Sequence, residues 1–303
     1  MDRLKQIKKR VDFLYSDRSQ EVFDHLKLLF DRYEAISEKP WVSENDVILI
    51  TYGDTLRNAD EAPLATLKRF LNDHTEGEIK NIHILPFCPY TSDDGFAVID
   101  YKQINPDLGS WEDVRALAGD YDLMFDAVVN HISSKSNWFL EYLAGNSKYQ
   151  NYFIEADPSL DYSMVTRPRA LPLLTEVDTP QGTKHVWTTF SADQIDLNFQ
   201  DPALLIEMMD VLLMYATSGA RFIRLDAIGF AWKKLGTTCM HLEETHELVK
   251  LMRDVVEMIA PGTILITETN VPHLDNIAYF GNGYDEAQMV YQFPLPPLTY
   301  IHF

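Results

Sequence analysis

Apolar residues recur along this chain first at helical spacing and then in short, strand-like runs. Leu4, Ile7, Val11 and Leu14, followed by Val22, Leu26, Leu29, Phe30 and Tyr33, repeat every three or four positions. That spacing predicts helix over residues 1–38, with Pro40 as its stop. From there the pattern alternates. VILITYG (47–53), NIHILPF (81–87), LMFDAVVNH (123–131), RFIRLDAIGF (221–230), TILITETN (263–270) and AQMVYQF (287–293) read as six strands, and amphipathic stretches lie between most of them. Helix is predicted over 63–72. Another begins at Ser110, whose hydroxyl and Asp113 form a capping box. Asp201-Pro202 supplies an N-cap and a first-turn proline to a helix ended by Gly219, and residues 242–262 carry a last helix stopped by Pro261-Gly262. Residues 132–200 interrupt the rhythm with Pro, Thr, Ser and aromatics and no clear helical period.

Regular βα alternation predicts a parallel sheet. Asn130, His131, Asp226 and Glu268 fall at the carboxyl ends of the third, fourth and fifth strands, the face on which a (β/α)8 TIM barrel carries its site. An open dinucleotide-binding sheet is less well supported, since no GxGxxG follows the first strand. The expected α/β organisation is an N-terminal helical extension (1–45), a first part of the barrel (46–131), an insertion after strand three (132–200) and a second, incomplete part (201–303). Two strands short of closure, such a chain is expected to be unstable and inactive alone.

Charge and cysteine content then narrow the function classes. Lys and Arg number 26 against 46 Asp and Glu, a formal charge of −20. That balance argues against a nucleic-acid or anionic-membrane partner, and any anionic substrate must meet a local basic cluster. Cys88 and Cys239 are too few for a disulfide framework. MDRLKQIKKR leads into no signal-peptide core, and no run of 18 apolar residues occurs. A cytoplasmic protein with free thiols is expected. No metal-ligand cluster stands out, so neither metal nor cofactor is implied.

The chemistry concentrates in RFIRLDAIGF. Arg224 and Asp226, two apart on a strand, point the same way, so the arginine can hold the aspartate ionised. Taken alone this is equally a structural ion pair at a strand end. Glu268, after the apolar run Ile264–Ile266, sits where its neighbours favour the protonated form, as a general acid requires. A carboxylate pair about 5–5.5 Å apart suits retaining glycoside chemistry.

DAVVNH (126–131), FIRLDAIGF (222–230) and ITETN (266–270), in this order on successive strands with a long insertion after the third, resemble the motifs of the α-amylase superfamily. HILPFCPYTSDDGFAVIDY (83–101), LGSWEDV (108–114), RPRALP (167–172), FSADQIDLN (190–198), GTTC (236–239) and FPLPPL (293–298) are similar to its sucrose-phosphorylase branch. The N-terminal extension, the SDDGF loop, RPRALPLLT and TETNVPHLDNIAYFG resemble the glucosylglycerate phosphorylases within it. The resemblance implies Asp226 as nucleophile, Glu268 as general acid/base and Arg224 as the group orienting Asp226. His131 would bind the glucosyl hydroxymethyl or a neighbouring hydroxyl, Asp93 (with Asp94 as competitor) would grip the sugar, and Phe96 and Phe190 would wall it, with Gln194 beside them. Asp126 would be structural. Arg169 would meet the anionic acceptor; Arg167, Lys233 and Lys234 are the other basic candidates. The implied reaction takes an α-glucoside and inorganic phosphate to α-glucose 1-phosphate and glycerate with retention. Sucrose phosphorylase, sucrose 6-phosphate phosphorylase, a retaining hydrolase and a non-catalytic amylase-like binding protein stay open as alternatives. The family's third carboxylate, an Asp following a His on strand seven, has no counterpart before Phe303.

Overall fold

The computed structural model describes residues 3–75 and 77–302; the first two residues of the expected N-terminal helix, Glu76 and the chain end at Phe303 lie outside them. Helix α1 (Arg3–Tyr15) and helix α2 (Ser19–Phe30) replace the single helix expected over 1–38. The apolar period runs through both, but Ser16 at φ 40° turns the backbone left-handed and a 3-10 turn at Ser16–Arg18 breaks the helix. The break folds α2 back onto α1. Buried Arg10 then ties α1 to the distant Glu247, its Nη1 donating to Oε2 at 3.1 Å.

Beyond the helices the chain alternates as the pattern predicts. In order come β1 (Ile48–Thr51), α3 (Pro63–His74), β2 (Asn81–Ile84), α4 (Trp111–Ala118) and β3 (Asp122–Val128). An excursion follows, with β4 (His131–Ser133), α5 (Asn137–Leu143), β5 (Leu174–Thr179), β6 (Gly182–Trp187) and β7 (Gln194–Asp196). Then come α6 (Pro202–Thr217), β8 (Ala220–Asp226), α7 (Glu243–Ile259), β9 (Ile264–Thr267), α8 (His273–Ile277), β10 (Met289–Val290) and α9 (Leu295–His302). The capping box of α4 is present, and Asp201 caps α6 by accepting from the N–H groups of Ala203 and Leu204. Helix α1 packs on α7 and α2 on α6.

Strands β1, β2, β3, β8, β9 and β10 form one parallel sheet in that order, an α/β half-barrel left open between β1 and β10 among the described residues. In β3 and β8, Asp126 lies opposite Arg224 and Val128 opposite Asp226. Both strands are almost wholly buried, as strands covered on two faces must be. Two expectations need correction. His131 does not end β3; it starts β4, which pairs antiparallel with β7. The sixth strand shrinks to Met289–Val290. Within residues 132–200, where no clear helical period was read, β5 and β6 form a hairpin, and α5 is too short, at seven residues, for a hydrophobic period to register. Among the described residues no helix is long and apolar enough to cross a membrane, and both cysteines are free and buried.

Candidate active site

The carboxyl ends of the strands open on a cavity of about 540 Å³, whose lining includes Asp93, Phe96, His131, Arg169, Phe190, Gln194, Arg224, Asp226 and Glu268. At its floor a single guanidinium gathers three carboxylates. Arg224 Nη1 donates to Asp126 Oδ1 at 2.6 Å and to Asp226 Oδ1 at 2.8 Å, and Nη2 lies 3.9 Å from Glu268 Oε1. The first two contacts follow from register: residues 224 and 226 share a face of β8, and Asp126 is the cross-strand neighbour of Arg224 on β3. Asp126 is locked from behind, its Oδ2 2.8 Å from His83 Nε2. The guanidinium also lies over the rings of Phe96 and Tyr291, 5.4 and 5.3 Å from their centroids, an arrangement favourable to a partly desolvated cation.

Glu268 is placed by the backbone. Its N–H donates to Leu225 O at 3.1 Å, and its Oε2 accepts from Ala227 N–H at 3.0 Å. Ala227 is left-handed, φ 50°, directly after Asp226; that turn aims its N–H at Glu268. Strain of this kind persists only where the surroundings over-determine it.

The electrostatics correct one expectation. Arg224 was expected to keep Asp226 ionised at neutral pH, yet Asp226 is pushed up to about 7. Burial is the largest cause. Arg224 opposes it, and the carboxylates of Glu268 and Asp126 reinforce it. One cation shared among three acids cannot fully offset the burial of Asp226, which keeps its proton up to near neutrality. Burial alone would lower Arg224, but Asp226, Asp126 and Glu268 together raise it, and it stays charged.

The sugar-sized wall of the cavity is a second cluster. His131 Nε2 lies 3.0 Å from Phe96 O and Nδ1 lies 3.2 Å from Asn130 Nδ2, so the neutral ring carries its proton on Nε2 and donates it to the carbonyl. Burial pushes His131 down to about 4, which keeps it neutral. Gln194 Nε2 donates to Asp93 Oδ2 at 2.9 Å, and Arg169 Nη2 bonds both oxygens of Asp93 at 3.2 and 3.1 Å. Phe190 packs tilted against the His131 ring and edge-on to Phe230, and the Arg169 guanidinium sits over its ring at 5.7 Å. Asp93 and Asp94 both face the cavity, but only Asp93 is held by these two partners.

The basic candidates separate. Lys233 is buried, its Nζ 2.6 Å from Asp196 Oδ2 and 2.7 Å from Asn130 Oδ1, and cannot meet a ligand. Lys234 pairs with Glu244 at 3.3 Å. Of the four, only Arg169 lines the cavity. Tyr52, Phe230, Met240 and Tyr291 surround the site without having been anticipated; aromatic and Met positions read as core by default, although Tyr52 directly follows β1 and so sits at a strand's carboxyl end. Among the described residues no group of His, Cys, Asp and Glu is arranged to hold a metal ion.

The alpha-amylase catalytic-domain family matches residues 76–302. The chain is 51% identical over 293 residues to a glucosylglycerate phosphorylase of Allomeiothermus silvanus, covering 97% of this chain and 53% of that protein. It is 51% identical over 283 residues to one of Escherichia coli K12, covering 91% and 50%. A sucrose 6F-phosphate phosphorylase structure from Thermoanaerobacter thermosaccharolyticum superposes with a TM-score of 0.74 at 27% identity, over 84% of this chain and 53% of that one. The chain thus spans about half the length of the curated relatives it matches.

Proposed function

The chain belongs to the alpha-amylase catalytic-domain family, and from that premise we propose that the protein is a retaining glucoside phosphorylase acting on 2-O-α-D-glucosylglycerate. The observation that carries the reading is the Asp226–Glu268 pair, set around one arginine and one backbone N–H, at the floor of a cavity whose wall holds Arg169. The reaction needs Asp226 as the attacking carboxylate and a proton on Glu268.

Asp226 attacks the anomeric carbon while the bond to the glycerate oxygen breaks and Glu268 gives that oxygen its proton. A β-glucosyl ester on Asp226 results. A phosphate oxygen then attacks the same carbon from the opposite face, Glu268 takes the phosphate proton, and Asp226 leaves as carboxylate. Two inversions give α-glucose 1-phosphate with retention. Asp93, His131 and Gln194 hold glucosyl hydroxyls, and Phe96 and Phe190 exclude water from the developing oxocarbenium ion. Arg169 meets the acceptor anion, glycerate or phosphate, with the fork geometry suited to either. Residues 46–131 and 201–303 act as one catalytic unit, 132–200 as the insertion that shapes the acceptor side and 1–45 as a helical extension. A cytoplasmic setting matches the free thiols.

Identity of 51% to two glucosylglycerate phosphorylases against 32% to a sucrose phosphorylase of Agrobacterium vitis supports glycerate as acceptor. The test incubates the full-length protein with glucose 1-phosphate and, separately, D-glycerate, fructose, fructose 6-phosphate or glycerol. Phosphate release with glycerate is the expected result. Release only with a fructose acceptor overturns the assignment, and release without any acceptor marks a hydrolase.

A further inference from the structure

Asp193 lies one residue before β7 and does not line the cavity, yet its carboxylate is where two loops meet. Oδ2 accepts from Thr91 Oγ1 at 2.6 Å and from the Ser92 hydroxyl. Oδ1 accepts from Ser134 Oγ at 2.6 Å, with the Ser133 hydroxyl farther off at 3.5 Å. The Asp193 carbonyl accepts from Ser134 N–H at 2.9 Å. Burial would raise this carboxyl, but the bonds from Ser134, Ser92 and Thr91 together outweigh it and hold it below the usual carboxylate range. At neutral pH the group is therefore ionised and accepts only.

The segment it anchors is one that needs anchoring. Asp93, Asp94 and Gly95 are left-handed in succession, at φ 55°, 51° and 107°. Gly95 presses on Pro86 so closely that a Cβ would meet the Pro86 Cβ at 2.8 Å. Two of the segment's own backbone bonds, Phe96 N–H to Asp93 O at 3.0 Å and Ala97 N–H to Ser92 O at 3.2 Å, span only this turn. Local bonds of that kind do not fix where the turn sits relative to the cavity; that falls to Asp193 together with two direct ties to β4, Thr91 Oγ1 with Ser133 Oγ at 2.6 Å and His131 Nε2 donating to Phe96 O at 3.0 Å. The next residue, Gln194, secures the Asp93 carboxylate itself.

We propose that Asp193 is a positioning residue of the sugar pocket, anchoring residues 91–96 to β4 so that Asp93 and Phe96 face the cavity. The pocket's identity as a glucosyl site rests on the reading above; the anchoring does not. Hydrogen–deuterium exchange resolved over residues 91–97 tests it directly. Asp193→Ala should exchange there about tenfold faster than wild type with the rest of the chain unchanged, and Asp193→Asn, which keeps one acceptor oxygen, should fall between. In phosphorolysis Asp193→Ala should raise the glucoside KM about tenfold with kcat within about threefold, the Asn variant recovering most of the loss. Wild-type exchange in the Ala variant, or a loss confined to kcat, overturns the proposal. Thr91→Val with Ser92→Ala cuts the same bonds from the loop side and must loosen the segment likewise; unchanged exchange there overturns it too, whether or not Asp193→Ala folds. A loosened segment in a protein that turns over no glucoside would sustain the Asp193 assignment and sink the site reading alone.

Discussion

Arg224 and Asp226 were open to two readings in the sequence, a strand-end ion pair or an active site; the ion pair is present at 2.8 Å, and both partners line the cavity. The arginine serves three acids, so it orients Asp226 without fully charging it. With Asp226 pushed up to about 7, kcat/KM should rise with pH through that value and level off above it, because the attacking form is the carboxylate. Replacing Arg224 with Met removes the one opposing cation and should move that limb to higher pH; a profile without an acidic limb near neutrality would count against the shared-cation picture. The same shift bears on stability. The folded pKa lies above the unfolded value of about 3.9, so between about pH 4 and 7 the folded state binds more protons, and this group's contribution falls as pH rises. The individual site residues were legible because ionic side chains at the ends of apolar strands demand a reason. Lys233 was misplaced for the converse reason: a lysine after a strand reads as exposed, and only the fold shows Asp196 and Asn130 waiting for it.

Among the elements, those with chemical punctuation were read most faithfully. Helices α4 and α6 start where Ser110 and Asp201 cap them. Asp201→Ala should cost about 1 kcal/mol of stability, seen as a lowered urea midpoint at unchanged slope. Gly262 ends the α7 region at φ 87°, and a Cβ there would lie 2.7 Å from Lys39 O and 2.8 Å from Lys39 N, backbone atoms that cannot swing aside. Gly262→Ala should therefore cost about 3 kcal/mol or more, against about 1 kcal/mol for the same change at Gly77, where a Cβ meets nothing within 4 Å and only the left-handed φ of 78° is unfavourable. Calorimetric or urea unfolding of both variants checks the contrast. Elements without punctuation were harder to read. The break between α1 and α2 rests on one left-handed serine inside an unbroken apolar period. Strand β4 was merged with β3 because Val129 and Asn130 continue the same run while the chain turns away.

At the scale of the whole molecule, βα alternation was enough to place the site on the carboxyl face of a parallel sheet, and the order of the strands follows it from β1 to β10. What alternation cannot convey is the balance of charge inside the cavity. Asp93, Asp94, Asp226 and Glu268 line it against Arg169 and Arg224, and Arg169 is already bound by Asp93. With a formal charge of −20 on the molecule, an arriving anion finds no uncommitted cation among these groups. It must share Arg169 with Asp93, whose two contacts both fall on Nη2, and its own charge raises the affinity of the neighbouring acids for protons. Ligand uptake is then also proton uptake. Titrating the protein with glycerate at pH 7 in buffers of different ionisation enthalpy should give heats that differ by a fraction of a proton drawn from the buffer, and Asp226→Asn should shrink that difference. In that sense the crowded arginine makes the pocket a small buffer, whose filling is recorded in the solvent around it.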